Sequence, residues 1–179
     1  MISRALHSSV RHDWHTPGWL IDVVHDVYGR IDLDPMTDGQ NVARAKRTIT
    51  PAHHNNTPAD WNASEKERVL WLNPPYGRGI GEHVQSWIDA EGWRTKLLLV
   101  PARTETRWFR NAYDGSTRVM LLAGRLRFDD AGPAPFPSAL FVHDHSDSDN
   151  PLLEAIAAHK ASAGVPIEFR GLCVCEGAW

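Results

Sequence analysis

Val69-Leu70-Trp71-Leu72-Asn73-Pro74-Pro75-Tyr76-Gly77 is the stretch around which this chain is organised. Its four leading apolar residues read as a short buried strand. The two prolines stop that strand, because each lacks a ladder N–H and has its φ fixed. Asn73 therefore falls at the strand's end, and in a parallel α/β sheet ligands bind in the crevice at the carboxyl ends of the strands. The segment offers a neutral amide, carbonyls stiffened by proline and an aromatic ring within four residues. That set suits a planar base carrying an amino group. The Asn73 side-chain oxygen and the Pro74 carbonyl can each accept one hydrogen of an exocyclic amine. Tyr76 can stack on the ring, an interaction of roughly 1–3 kcal/mol.

Outward from this strand, helical and strand patterns alternate. Towards the N-terminus, Leu20, Val23, Val24 and Val27 have helical spacing over Gly18–Tyr28, and Gly29 ends the helix. Trp14-His15-Thr16-Pro17 before it is extended, and residues 1–13 read as a loose arm. Residues 31–34 alternate as a short strand closed by Pro35, and residues 42–47 suggest a short basic helix with Arg44, Lys46 and Arg47. Residues 50–61 read as a loop broken by two prolines.

Towards the C-terminus, residues 80–90 form an amphipathic helix and residues 97–100 a second buried strand. Residues 105–113 read as a helix capped by Thr104. Strands are expected at Arg118–Leu122, 139–142 and 167–174, with a turn at 124–128, a proline-rich loop at 129–137 and a helix at 152–162. The pattern predicts a single α/β domain with an open, mostly parallel sheet, helices on both faces and antiparallel strands towards the end.

Composition narrows the function classes. The chain has 179 residues, enough for one domain with a core, and its 42% hydrophobic content is ordinary for a globular protein. No stretch approaches the roughly 18 apolar residues of a membrane span. The first ten residues lack the apolar core of a secretory signal, and Cys173 and Cys175 would point to opposite faces of a strand, which disfavours a bridge. A reducing cytoplasm fits. A net charge of −3 argues mildly against a nucleic-acid partner, but the position of the cations matters more. Arginines concentrate in the middle of the chain, and Asp144, Asp147 and Asp149 lie apart from them.

Asn73-Pro74-Pro75-Tyr76 resembles the catalytic motif of S-adenosylmethionine-dependent amino-methyltransferases, above all those acting on adenine N6. Trp14-His15-Thr16-Pro17, Ile31-Asp32-Leu33-Asp34-Pro35, Pro101-Ala102-Arg103-Thr104, Gly124-Arg125-Leu126-Arg127-Phe128 and Ala134-Pro135-Phe136-Pro137-Ser138-Ala139 resemble segments of phage-type, Dam-like DNA N6-adenine methyltransferases. The resemblance runs from about Asp13 to Val142, and six motifs in order make it specific.

The resemblance implies a compact Rossmann-like methyltransferase fold, S-adenosylmethionine as donor, and the cytoplasm of a bacterial host. It also assigns residues. Asn73, Pro74, Pro75 and Tyr76 would be catalytic. Thr16 and Pro17 would lie against the donor's methionine part, with Trp14 as a wall. Asp34, before Pro35, would face the donor's cationic end. Asn41 would hold the donor through its side chain, and Asp60-Trp61 would hold its adenine. The usual glycine-rich donor loop is cut down here to Met36-Thr37-Asp38-Gly39, so the donor site is trimmed.

DNA is the expected partner, with an adenine flipped out of the duplex. Arg78, Arg103, Arg107, Arg125 and Arg127 would form a basic rim around the Tyr76 cleft; the rival reading pairs them with Glu105, Asp129 or Asp130. His53-His54 and His143-Asp144-His145 lack metal-site spacing, and no metal is expected. Two other readings of the chain are a methyltransferase for RNA adenine or a protein glutamine amide, and a non-catalytic DNA- or nucleotide-binding module.

Overall fold

The computed structural model describes residues 14–50, 58–113, 117–128, 132–144 and 151–162. In chain order they form α1 (Gly18–Tyr28), β1 (Leu33–Asp34), β2 (Arg47–Thr48), a 3₁₀ turn (Pro58–Trp61), β3 (Val69–Leu72), α2 (Ile80–Asp89), β4 (Thr95–Pro101), α3 (Arg107–Asn111), β5 (Arg118–Leu122), β6 (Ser138–Asp144) and α4 (Pro151–Ser162). The six strands make one sheet in the order β2-β1-β3-β4-β6-β5. The pairs among the first four strands are parallel, and β6 runs antiparallel to both β4 and β5. The mixed α/β sheet with antiparallel closing strands agrees with the sequence expectation.

Side-chain alternation sorts the core into two layers. Val69, Trp71, Leu97, Leu99, Leu140 and Val142 face one side, where Leu20, Ile21 and Val24 of α1 and Leu152 and Ile156 of α4 cover them. Leu70, Leu72, Leu98, Val100, Ala139 and Phe141 face the other side, under Val84 and Trp87 of α2 and Phe109 of α3. Register keeps the layers separate: Trp71 opposes Leu97, and Leu97 opposes Val142. β4 lies between β3 and β6, and all seven of its residues are buried, which is why residues 97–101 run apolar without alternation, while the buried Lys96 ammonium is satisfied by the carbonyls of Trp87, Ile88 and Ala90.

Three local expectations need correction. Residues 42–47 are not a helix. Asn41 and Arg44 have φ of 50° and 52°, outside the right-handed helical region, and the segment turns into β2 instead. Its basic residues serve separate ion pairs, Arg44 with Asp22 and Arg47 with Glu67. α3 is shorter than residues 105–113, and its N-cap is Thr106 rather than Thr104. The Thr106 hydroxyl accepts from Phe109 N at 3.4 Å and donates to Arg103 O at 2.8 Å, which fixes the turn between β4 and the helix. Residues 50–61, expected as loop, end in the 3₁₀ turn Pro58–Trp61. The expected arm at residues 1–13, the strand at 167–174, His53-His54, His145 and both cysteines lie outside the described residues.

Candidate active site at the ends of two parallel strands

The strand order places the crevice. From β1 the chain passes to β2 on one side and then to β3 on the other, so the order reverses between β1 and β3. A parallel sheet opens there at its carboxyl edge, because the connections leave in opposite directions. Asp34 ends β1, and Asn73 directly follows β3. A cavity of about 100 Å³ lies there, with Trp14, Thr16, Asp34, Asn73, Pro74 and Pro75 in its wall. The sequence scattered those six over 62 positions, and the fold gathers them.

Asn73 is held tightly. Its amide nitrogen donates to the Trp14 carbonyl at 2.5 Å and to the Thr16 hydroxyl at 3.0 Å. Its oxygen accepts from the Tyr76 hydroxyl at 2.7 Å. The Trp14 carbonyl can only accept, so it fixes which end of the amide is nitrogen. Both N–H groups are thereby used, and the oxygen keeps a second acceptor position. The Leu99 carbonyl lies 3.3 Å from the same Tyr76 hydroxyl. Burial pushes that hydroxyl well above its ordinary value of 10.0, so it stays a neutral donor.

On the far side of Asn73 the Tyr76 ring meets Phe128 and Phe136 edge-on, with centroids 6.0 and 5.4 Å away. Trp14 meets the same two phenylalanines at 5.5 and 5.3 Å. Asn73 thus lines the cavity and, through its oxygen, bonds to Tyr76 of a cluster of four rings that Trp14, Phe128 and Phe136 complete.

Asp34 is 7% exposed. Burial pushes its carboxyl up to about 7; a hydrogen bond from Met36 N opposes that, and the nearby Asp38 charge adds to it. Among the described residues no cation pairs with it. Asp38 differs. Its partial burial is outweighed by the Gln40 N–H and by His15, 2.6 Å away, which together hold its carboxyl below the usual range.

The loop from β1 to β2 closes on its own side chains. Thr37 Oγ1 accepts from Gly39 N and Asn41 N, at 3.3 and 3.1 Å. Asp38 accepts from Gln40 N, and Gly39 adopts a φ of 96°. Side-chain oxygens therefore take backbone N–H groups that a glycine-rich loop would present to a ligand.

The remaining expected donor residues are placed elsewhere. Both ends of the Asn41 amide pair with the Ala45 backbone, at 2.9 and 3.0 Å, which staples the turn before β2. Trp61 is 2% exposed in the core layer under α2, and its carbonyl accepts from Trp93 Nε1. The carbonyl of Asp60 accepts from Arg47. Pro17 caps α1, its carbonyl taking the N–H groups of Leu20 and Ile21. Pro35 is buried next to Asp34 without lining the cavity.

The chain matches the family of DNA N-6-adenine-methyltransferases (Dam) over residues 3–142. It belongs to that family. A DNA N-6-adenine-methyltransferase of Escherichia phage T1 is 28% identical over 125 residues, covering 69% of this chain and 50% of that protein. The chain thus spans about half the length of that relative. No solved structure matches it. The family match includes the cavity, the Asn73 loop and all four rings, whereas α4 lies beyond it.

Within this Dam-family chain the sequence left Phe128 and Phe136 without a role, although each sits in a quoted motif. Phe128 continues an alternation in which Leu126 and Phe128 are buried while Arg125 and Arg127 are exposed. Phe136 is flanked by prolines and lies in a bend just before β6. The five expected rim arginines, Arg78, Arg103, Arg107, Arg125 and Arg127, are all exposed, and none takes part in an ion pair among the described residues. Arg103 follows Ala102, whose N–H bonds to Pro137 O beside Phe136. Among the described residues no group of three or more histidine, cysteine or acidic side chains could hold a metal ion, and no helix is long and apolar enough to cross a membrane.

Proposed function

We propose that this protein transfers a methyl group from S-adenosylmethionine to the N6 amino group of adenine in duplex DNA, on a compact Rossmann-like methyltransferase scaffold. The observation that carries the reading is the fixed Asn73 amide, which lines a cavity holding a buried carboxylate and bonds to Tyr76 of a cluster of aromatic rings. Family membership supports the reaction class. The parallel strands, with a cavity where their order reverses, support the scaffold.

The donor fits the cavity chemically. A buried carboxyl without a cation is costly, and the donor carries an ammonium and a sulfonium. Asp34 would take that cationic end, with Trp14 and Thr16 beside it. Small-molecule pockets commonly enclose about 300–1,000 Å³. The cavity here is about 100 Å³, so it would enclose the donor's charged end and leave the nucleoside along the open side. Of the pair first expected at the donor's adenine, Trp61 is spent in the core.

When bound, the donor supplies a methyl group on a positively charged sulfur. The chain's own task is to present the acceptor. Adenine's amino nitrogen is a poor nucleophile, because its lone pair is delocalised into the ring. The free acceptor position on Asn73 Oδ1 and the Pro74 carbonyl would take the two N6 hydrogens and favour a pyramidal nitrogen. Asn73 is neutral and acts as an orienting acceptor, not as a base. The methyl carbon would exchange its bond to the donor's sulfur for one to N6, the electron pair staying on sulfur as a neutral thioether, and the N6 left cationic would then release one proton to solvent. The target base must leave the stack to reach this point, and the ring of Tyr76, backed by the buried Phe128, would receive it.

Methylation of duplex DNA with labelled donor, followed by nucleoside analysis, tests the function directly. N6-methyladenine is the expected product; labelled RNA or labelled glutamine with unlabelled DNA would replace this reading. A Tyr76 pair of variants tests the ring. Tyr76→Ala is expected to lose about 1–3 kcal/mol of base binding. Tyr76→Phe keeps the ring and most activity, and it frees the Asn73 oxygen of one hydrogen bond. Equal losses in the two variants would exclude stacking as the ring's role.

The exposed arginines are proposed as the DNA-facing rim. Phosphate contacts release counterions, so DNA affinity is expected to fall steeply with salt. Arg103→Ala or Arg125→Ala should each lower the slope of log affinity against log salt by about one. A flat salt dependence in the parent protein would turn the reading towards an acceptor other than nucleic acid.

A further inference from the structure

We propose that Thr16 is a positioning residue for Asn73, fixing the catalytic amide rather than gripping the methyl donor. The inference rests on the proposed role of Asn73 in methyl transfer. Thr16 is 5% exposed, and its hydroxyl lies 3.0 Å from Asn73 Nδ2. The other N–H of that nitrogen goes to the Trp14 carbonyl. Two acceptors from one short segment thus saturate the nitrogen end of the amide, and the oxygen must point the other way. Turning the amide over would set its oxygen against the Trp14 carbonyl, two acceptors with no proton between them.

The segment itself is anchored at three points. The Trp14 ring packs edge-on against Phe128 and Phe136. His15 pairs with Asp38 on the loop after β1. Pro17 opens α1, where its carbonyl accepts the first helical N–H groups. A hydroxyl on such a rigid support orients its partner at little entropic cost. Thr16 and Asp34 line the same cavity. The same three residues that wall the donor side, Trp14, His15 and Thr16, therefore set the direction in which the Asn73 oxygen faces the acceptor.

Thr16→Val keeps the shape and removes the acceptor. At saturating donor its kcat for DNA adenine methylation is expected to fall about 10- to 100-fold, as one buried N–H loses its partner. Donor affinity by calorimetry and the KM for donor should stay within about twofold, because valine keeps the shape of the wall and Asp34, which takes the donor's charge, is unchanged. Thr16→Ser restores the hydroxyl and should recover most of kcat. The side-chain amide ¹⁵N–¹H signals of Asn73 should shift or broaden in Thr16→Val and return in Thr16→Ser.

A donor affinity weakened in Thr16→Val with kcat intact at saturation would make Thr16 a donor ligand and overturn the proposal. So would unchanged kcat, or equal losses of kcat and melting temperature in both variants, which would mark a purely structural residue. A parent protein inactive on every adenine substrate would instead overturn the functional reading, and unchanged Asn73 amide signals in Thr16→Val would overturn the positioning role independently of activity.

Discussion

Replacing Asn73 with alanine is expected to reduce methyl transfer to DNA by at least about 100- to 1,000-fold in kcat, the usual cost of removing one preorganised polar group at a reacting centre. Donor affinity should remain within a few-fold. The two effects separate because of where Asn73 stands. Its oxygen faces Tyr76 and the aromatic cluster, while its nitrogen is consumed by Trp14 and Thr16. Neither end pairs with Asp34, the proposed anchor of the donor. The alanine variant should also fold, because the Leu99 carbonyl is already within 3.3 Å of the Tyr76 hydroxyl and can take its proton. Single-turnover methylation with saturating donor, set beside calorimetric donor binding, measures both quantities. A variant that methylates at the parental rate would remove Asn73 from the chemistry. A variant that loses donor binding instead would move it into the donor site.

The elements that sequence made legible are those where one physical cause dominates. Apolar runs at β3 and β4 state burial directly, and the two prolines after Leu72 state where β3 must stop. Helix α1 announces itself by spacing and by Gly29, whose φ is 78°. At residues 42–47 a helical composition is overruled by a distant cause. The Asn41 side chain grips the Ala45 backbone, and Arg47 is drawn to Glu67, twenty positions away. Propensity cannot report partners that only the fold supplies.

The site shows the same division. The Asn73 stretch is a local signal, and strand-end chemistry is enough to pick it out. Asp34 follows the same rule at the end of β1. Trp61 stands with Asp60 ahead of β3, where a ring could pack on the donor's adenine, yet a large, mostly apolar ring also fills the core under α2, and that is where it lies. Phe128 and Phe136 went unassigned for the opposite reason. A lone phenylalanine after a loop carries no direction, and only the fold brings both against Tyr76. Thr16 has in Asn73, 57 positions away, a partner that sequence separation conceals.

The buried carboxyl of Asp34 predicts a pH dependence whose sign is opposite to that of a salt-bridged acid. In the folded protein it titrates near 7, against an ordinary 3.8. Between those values the folded chain holds a proton that the unfolded chain has lost, so donor-free stability from this group is full below the lower value and is lost as pH rises through 7. Asp34→Asn should flatten that loss in thermal melts and leave the protein more stable than the parent at pH 8. Asp38 does not blur the window, since Gln40 and His15 keep it ionised despite its partial burial. Donor binding should show the mirror image. A cation prefers the ionised carboxylate, so affinity for S-adenosylmethionine in the absence of DNA should rise with pH between about 5.5 and 7, by up to about tenfold per unit, with a proton released on binding. Asp34→Asn should bind the donor weakly and without that slope, because a neutral amide offers no charge and has no proton to release. Calorimetry across this range, in buffers of different ionisation enthalpy, reads the affinity and the proton together. If the parent's donor affinity is independent of pH, or if the Asn variant matches it, the Asp34 carboxylate does not hold the donor's charge and acts only as the turn at the end of β1, where its oxygen already accepts from Met36 N.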